Sequence, residues 1–141
     1  MIEVKNVSKS YHRDRIEIPV LQNLTIDVPE GEFLALMGPS GSGKTTLLNL
    51  IGCLDKPTGG NLRVVGTDVL HLDRDQSANF RGTHLGFIFQ DFNLIPVLTV
   101  FENIEYPLLM VQRVPGAERR KRVLGLLEAV GMIDQKDKYP D

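Results

Sequence analysis

A glycine-rich segment, Gly38 to Thr46, constrains this chain more than any other part of its sequence. It fits the pattern G-x-x-x-x-G-K-[ST], a loop whose backbone N–H groups surround phosphate oxygens. The apolar run 33–37 before it predicts a buried strand, and residues 46–52 after it predict a helix that ends near a glycine. Because strand, loop and helix follow in that order, the segment predicts a phosphate-binding site rather than a glycine-rich turn with a surface lysine.

The residue types in this segment suit a nucleoside triphosphate and its magnesium ion. Glycines let successive N–H groups point inward, and the helix that follows adds unpaired N–H groups and the positive end of its dipole. Lys44 would place its charge on the β- and γ-phosphates, and the Thr45 hydroxyl would ligate Mg²⁺. The predicted phosphate-binding residues are Gly38, Pro39, Ser40, Gly41, Ser42, Gly43, Lys44, Thr45 and Thr46. The pattern does not specify which triphosphate is bound.

Length and composition describe one domain or part of one, because the chain has 141 residues. The net charge is −2, from 16 basic and 18 acidic residues, which gives no indication of a nucleic-acid or membrane-surface partner. The single cysteine, Cys53, is predicted to lie in an apolar helix and excludes a disulfide within the chain. Without a signal-peptide core or an apolar run of about 18 residues, we expect a soluble, cytosolic chain.

The remaining pattern predicts an antiparallel N-terminal flap that leads into a parallel α/β core. Residues 8–15 are polar and predict a turn, and residues 92–97 predict an irregular segment. The other predicted elements are strands at 2–7, 20–28, 61–66 and 85–89 and helices at 73–80, 98–105 and 115–130.

Helix-capping and helix-ending residues predict the bounds of the last two helices. Thr99 and Glu102 predict a capping box, and Pro107 should kink or end the helix that they begin. Gly131 should end the last helix. That helix is predicted to carry an apolar stripe of Val123, Leu126, Leu127 and Val130.

Over its whole length the chain resembles an ABC transporter ATPase subunit. Its opening I-E-V-K-N-V-S-K-S-Y is similar to the first strand of that family, which ends in an aromatic residue that stacks on adenine, here Tyr11. The segment 38–46 would be the Walker A loop. The stretch G-F-I-F-Q-D-F-N-L-I-P-V-L-T-V-F-E-N-I resembles the Q-loop, which implies that Gln90 contacts Mg²⁺ and the water near the γ-phosphate.

What the resemblance implies for function is specific. ATP and Mg²⁺ would be bound, with Thr45 and Gln90 as metal ligands, and the loop after Gln90 would sense a membrane-spanning permease subunit. The wording F-N-L-I-P-V-L-T-V-F-E-N resembles the branch of macrolide-export and lipoprotein-release ATPases. We therefore expect a homodimer of ATP-binding subunits, peripheral on the cytoplasmic face of the bacterial inner membrane, and no nucleic-acid partner.

The resemblance ends at Asp141, before the family's signature motif, its Walker B acidic residues and its switch histidine. Asp91 ends an apolar strand but directly follows Gln90, and Asp68 follows a turn, so neither fits a Walker B aspartate and the catalytic residues are not found in this chain. The fold class is thus a P-loop NTPase of the ABC ATPase type, truncated before these motifs. We interpret residues 1–141 as the N-terminal part of a single ABC ATP-binding domain of roughly 220 to 240 residues. On their own these residues should hydrolyse ATP at a background rate.

Each assignment has an alternative. Tyr11 could be an ordinary turn aromatic, and Gln90 could be the polar end of a strand. The basic cluster 119–122 could suggest nucleic acid, but a solvated helix face fits the acidic balance better. The whole chain could instead be a non-catalytic nucleotide-binding remnant, or part of an ABC-type ATPase that has no membrane partner.

Overall fold

An antiparallel sheet of four strands organises the first part of the chain. In the computed structural model, which describes residues 1–140, its strands are β1 (Ile2–Arg13), β2 (Ile16–Val28), β3 (Gly59–Val64) and β4 (Thr67–Asp68), in the spatial order β2-β1-β3-β4. Every neighbouring pair is antiparallel, which confirms the predicted flap. Two helices complete this unit, Met1–Gly86: α1 (Lys44–Ile51) and α2 (Arg74–His84).

The hairpin formed by β1 and β2 is longer than the sequence pattern indicates. Residues 8–13 continue β1, and the chain reverses in a two-residue turn at Asp14 and Arg15, with Asp14 at φ 56°. The predicted turn over 8–15 is therefore wrong for all but its last two residues. Residues 8–13 are polar apart from Tyr11, so they lack the apolar alternation by which a half-buried strand is recognised, and residues 11–19 are exposed.

The hydrophobic core lies between this sheet and its two helices. Strands β1 and β3 contribute Val4, Val7, Leu62 and Val64, each at most 1% exposed. Helix α1 contributes Leu47 and Leu50, and helix α2 contributes Phe80, so the helix that follows the glycine segment is fixed by burial of its apolar face. Ten buried residues form this cluster: Val4, Val7, Leu21, Leu47, Leu50, Cys53, Leu62, Val64, Val69 and Phe80.

Two apolar segments that were predicted as strands, 33–37 and 85–89, do not form strands. Phe33 and Met37 are more than nine-tenths exposed, and Ile88 is fully exposed. A strand is held by hydrogen bonds to a neighbouring strand, and neither segment takes part in the ladders of residues 1–140. The predicted parallel core is therefore not formed within the described residues. An apolar run shows that a segment can be buried, but it does not supply the strand that must pair with it.

The second unit, Phe87–Asp141, contains helices α3 (Val100–Met110) and α4 (Gly116–Ala129) and a short 3-10 helix, Ile133–Gln135. The capping box is confirmed: Thr99 Oγ1 accepts from the N–H of Glu102, and the Glu102 carboxylate accepts from the N–H of Thr99 at 2.8 Å. The helix continues past Pro107 for three residues, so Pro107 does not end it. None of the described helices has the length and apolar character needed to cross a membrane.

Helix α4 follows its predicted course, but its apolar stripe is only half buried. Val123 and Leu127 are fully buried, whereas Leu126 is 54% and Val130 66% exposed. The predicted stop at Gly131 is confirmed. Gly131 lies at φ 69° and donates to the Glu128 carbonyl, and the N–H of Met132 donates to the Leu127 carbonyl. This is the paired arrangement that ends helices at a left-handed residue.

The close approach of Gly60 in β3 to β1 provides a test of how these two strands pack. A Cβ on Gly60 would lie 2.3 Å from the carbonyl oxygen of Asn6 and 2.6 Å from the Cα of Val7, whereas a Cβ on Gly66 would meet nothing within 4 Å. Both glycines have positive φ, so Gly66→Ala controls for backbone strain. We expect Gly60→Ala to lower the free energy of unfolding by about 1–3 kcal/mol more than Gly66→Ala in urea titrations. Equal losses would contradict the packing of β3 on β1.

Candidate functional site

The glycine segment forms a loop that closes on the side chain of Lys44. The Lys44 Nζ donates to the carbonyl oxygens of Gly38 at 2.9 Å and Pro39 at 2.7 Å, and it lies 3.3 Å from Ser42 Oγ. Ser42 N–H in turn donates to the Pro39 carbonyl at 3.3 Å. The structure therefore brings the two ends of the predicted phosphate loop together around one cation.

Gly43 fixes the junction between this loop and α1. It is the N-cap residue of α1 at φ 88°, and its carbonyl accepts from the N–H of Leu47 at 2.9 Å. A Cβ at this position would lie 2.8 Å from Leu21 Cδ2 and 3.2 Å from the Val20 carbonyl oxygen. Both the conformation and the contact with β2 therefore require glycine here.

The start of α1 has the properties of an anion site. Gly43 has no side chain with which to cap the helix, and the first turn contains no acidic residue. The first N–H groups of a helix have no partner within the helix, and the positive end of the helix dipole lies at the same place. Thr45 is exposed and Thr46 is half-buried in this turn. A phosphate group with its magnesium ion fits these residues: uncapped N–H groups, one lysine and one exposed hydroxyl.

Tyr11 lies near the tip of the hairpin and is held by residues that the sequence did not single out. Its hydroxyl donates to Asp55 Oδ2 at 2.9 Å, and the Lys9 ammonium lies 4.7 Å from the centre of its ring. Lys9 also donates to Asp55 Oδ1 and to the Lys56 carbonyl, both at 2.7 Å. Lys9 is 8% exposed and Tyr11 39%, so a buried cation lies against one face of a partly exposed ring.

The carboxylate of Asp55 is the centre of this cluster. Burial alone would raise its pKa, but hydrogen bonds from Lys9, Tyr11 and the Lys56 N–H, together with the charge of Lys9, lower the pKa of Asp55 below its ordinary value. The carboxylate is thus held in its charged form. No sequence motif marks Asp55 or Lys9, because 46 residues separate them in the chain.

Gln90, the other predicted magnesium ligand, lies in the second unit, and its side chain is exposed. The segment that follows it, 92–97, has no regular secondary structure, as predicted, and exposes most of Phe92 and Val97. Asn103 of α3 fastens the end of this segment. Its amide accepts from the N–H of Ile95 at 2.8 Å and donates toward the carbonyls of Ile95, Leu98 and Thr99 at 2.9–3.1 Å.

The basic cluster 119–122 is engaged with its surroundings rather than gathered into a free cationic patch. Arg119 pairs with Glu105 at 3.0 Å and donates to the Val114 carbonyl, and Arg122 pairs with Glu118. The Arg120 guanidinium lies 5.8 Å from the centre of the Phe101 ring. The prediction of a solvated helix face therefore describes this cluster only in part, because Arg119 is half-buried.

Comparison with known proteins gives one consistent family. A family model described as ABC transporter matches residues 21–141. An uncharacterized ABC transporter ATP-binding protein of Methanocaldococcus jannaschii is 48% identical over 141 residues, a match that covers 99% of this chain and 59% of the relative. The macrolide export ATP-binding/permease protein MacB of Brucella abortus is 44% identical over 140 residues, covering 99% of this chain and 22% of that protein.

Solved structures give the same result for the fold. The dimeric structure of an ATP-binding cassette in a post-hydrolysis state, bound to ADP and Pi, has a TM-score of 0.88 and 44% identity to this chain. The match covers 99% of this chain and 62% of that one. The likeness confirms the predicted fold class, and the chain spans less than two thirds of the length of these relatives.

The lowered pKa of Asp55 predicts how the stability of the fold changes as the pH falls. A carboxyl whose pKa is lower in the folded state stabilises the fold above its unfolded-state pKa of about 3.9 and loses that effect as the pH falls. Asp55→Asn should therefore be less stable than the unaltered protein at pH 7, and the difference should shrink toward pH 3. Thermal unfolding midpoints of the two proteins across this range measure it. A difference that is the same at every pH would contradict the prediction.

Proposed function

The chain belongs to the ABC transporter family, and from that premise we propose that it forms the nucleotide-binding part of an ATPase that drives a membrane-spanning partner. The observation that carries the proposal is the loop 38–46, in which glycine conformations, an uncapped helix start and Lys44 combine to suit a bound phosphate chain. A catalytic residue for ATP hydrolysis is not assigned within residues 1–141.

We propose an individual role for each side chain of the site. In the proposed site Gly38 to Thr46 surround the phosphates, and Lys44 exchanges its bonds to loop carbonyls for bonds to phosphate oxygens. On the family resemblance, Thr45 and Gln90, whose side chains are exposed, are the proposed Mg²⁺ ligands, and the ring of Tyr11 is proposed to stack on adenine. The metal would offset the negative charge of the triphosphate.

The two compact units are proposed to be the N-terminal part of a single ATP-binding domain. Support comes from the solved cassettes, which match 99% of this chain across both units at a TM-score of 0.88. The whole protein is proposed to act as a dimer of such domains, since both matched structures are described as dimeric. We place the domain on the cytoplasmic face of the membrane, where the ATP-binding parts of a transporter have access to ATP.

Macrolide export or lipoprotein release is the proposed work of the membrane partner. Macrolide export is supported by the 44% identity to MacB, which is named as a combined ATP-binding and permease protein. Lipoprotein release is supported by the segment F-N-L-I-P-V-L-T-V-F-E-N, which follows Gln90. This segment resembles the branch that contains both macrolide-export and lipoprotein-release ATPases.

The segment 92–97 is proposed to contact the membrane partner. It presents Phe92 and Val97, which are 91% and 77% exposed, and Phe92 lines a pocket together with Asn93, Leu94, Pro96 and Pro140. Asn103 holds the backbone at the end of the segment, so its apolar side chains stand on a fixed base. Apolar side chains that are exposed together and backed by a rigid element suit a protein partner.

Removal of the Lys44 side chain tests nucleotide binding. In the whole protein, Lys44→Ala should raise the Kd for Mg-ATP by about tenfold or more, because hydrogen bonds to charged groups contribute roughly 1.5–3 kcal/mol. Lys121→Ala, a change to an exposed lysine of α4, is the matched control and should bind as the unaltered protein does. Isothermal titration calorimetry measures both. Equal affinity of the two variants would contradict the proposed site.

A second experiment tests the membrane partner. Phe92→Ser in the whole protein should lower the share of the ATPase that is recovered with cell membranes by roughly tenfold, since buried aromatic anchors dominate protein interfaces. Val130→Ser removes a similarly exposed apolar side chain at the end of α4 and should leave membrane recovery unchanged. Quantitative immunoblots of membrane and soluble fractions provide the measurement. Equal recovery of both variants would count against 92–97 as the contact.

A further inference from the structure

We infer that Asp55 and Lys9 are positioning residues for base recognition, because they hold the ring of Tyr11 in one orientation. The inference rests on the proposed function, in which Tyr11 stacks on the nucleotide base. Nothing in the phosphate loop itself requires these two residues. They act on the base end of the nucleotide alone, through the aromatic ring that they fix.

The ring of Tyr11 is restrained at two points. Its hydroxyl donates to Asp55 Oδ2 at 2.9 Å, which fixes the direction of the ring axis. The Lys9 ammonium lies 4.7 Å from the ring centre, against one face, and is itself held by Asp55 Oδ1 and the Lys56 carbonyl. An incoming base would therefore stack on the opposite face of the ring. Because the ring is already held in one orientation, binding would cost little side-chain conformational entropy.

The position of Asp55 is set by the end of α1. Cys53 takes the left-handed conformation at φ 53°, and the N–H groups of Leu54 and Asp55 donate to the Asn49 carbonyl at 2.9 and 3.3 Å. Just beyond, Thr58 donates twice to the Ser8 carbonyl of β1, at 2.9 Å from its N–H and 3.1 Å from its hydroxyl. The carboxylate is thus delivered to the hairpin by the same helix that begins at the phosphate loop.

A purely structural role for Asp55 makes a different prediction. If Asp55 served only to tie the loop 55–58 to β1, its loss would weaken the binding of every ligand equally, or of none. A positioning role affects only ligands that carry a base. Inorganic tripolyphosphate has the phosphate chain of ATP without ribose or base, so it separates the two roles within each variant.

The experiment measures Kd values of the whole protein for Mg-ATP and for magnesium tripolyphosphate in Asp55→Asn, Tyr11→Phe and Glu3→Gln. Tyr11→Phe keeps the ring but removes the hydroxyl. Glu3→Gln is the matched control, because Glu3 also makes an ion pair on β1, with Lys5 at 2.9 Å, without contact to the ring. We expect Asp55→Asn and Tyr11→Phe to weaken ATP binding by about three- to tenfold, the effect of one lost hydrogen bond, with tripolyphosphate binding unchanged. The double variant should lose no more than either single one.

The outcomes are distinct. A loss confined to ATP, shared by Asp55→Asn and Tyr11→Phe and absent in Glu3→Gln, supports the inference. ATP affinity that is unchanged in Asp55→Asn overturns it, as does an equal loss for ATP and tripolyphosphate, which would make Asp55 structural. If the unaltered protein binds neither ligand, the nucleotide site itself is wrong and the inference falls with it. If the unaltered protein binds both ligands equally well, phosphate binding stands, but Tyr11 does not recognise the base and the inference is overturned.

Discussion

The anchoring of α1 at both of its ends is the constraint on which the proposed nucleotide site depends. At its start, Gly43 takes a conformation and a contact with β2 that only glycine allows. Two residues past its end, Cys53 adopts the left-handed conformation more often taken by glycine, and the chain that follows joins β1 through Asp55 and Thr58. A helix of eight residues is about 12 Å long and stiff over that length. The phosphate loop and the support of Tyr11 are therefore fixed relative to each other by one element, whose buried face is held in the core by Leu47 and Leu50.

The features that could be predicted from the sequence are those whose cause is local. The capping box of Thr99 and Glu102 needs only residues three apart, and the stop at Gly131 needs only a residue that accepts positive φ. The phosphate loop belongs to the same class, because its glycines, its lysine and its helix are contiguous. In each case the predicted structure is formed by atoms that lie within a few residues of the sequence pattern that predicts it. The roles of the loop residues toward a nucleotide remain predictions, as do those of Tyr11 and Gln90.

The features that could not be predicted from the sequence are those that depend on residues elsewhere in the chain. The apolar runs 33–37 and 85–89 have the composition of strands, but pairing requires a partner that the runs themselves do not encode. The opposite case is 8–13, where a polar sequence forms a strand because it pairs with β2, although it has no apolar pattern. Asp55 shows the same limitation at a single residue, because its importance depends on Lys9 and Tyr11, which are more than 40 residues away in the chain.

Asn103 links the fold of the second unit to its proposed contact with a membrane partner. A contact segment must expose apolar side chains while its backbone polar groups remain satisfied, since unsatisfied groups would cost free energy when a partner covers them. The amide of Asn103 meets this requirement at the end of the segment, where it bonds both the N–H and the carbonyl of Ile95 and reaches the carbonyl of Leu98. Because Asn103 lies one turn into α3, which the capping box of Thr99 begins, the helix start and the segment before it form a single hydrogen-bonded unit. In the proposed contact, Ile95 is the residue at which a partner's pull on the segment would pass to α3 through hydrogen bonds.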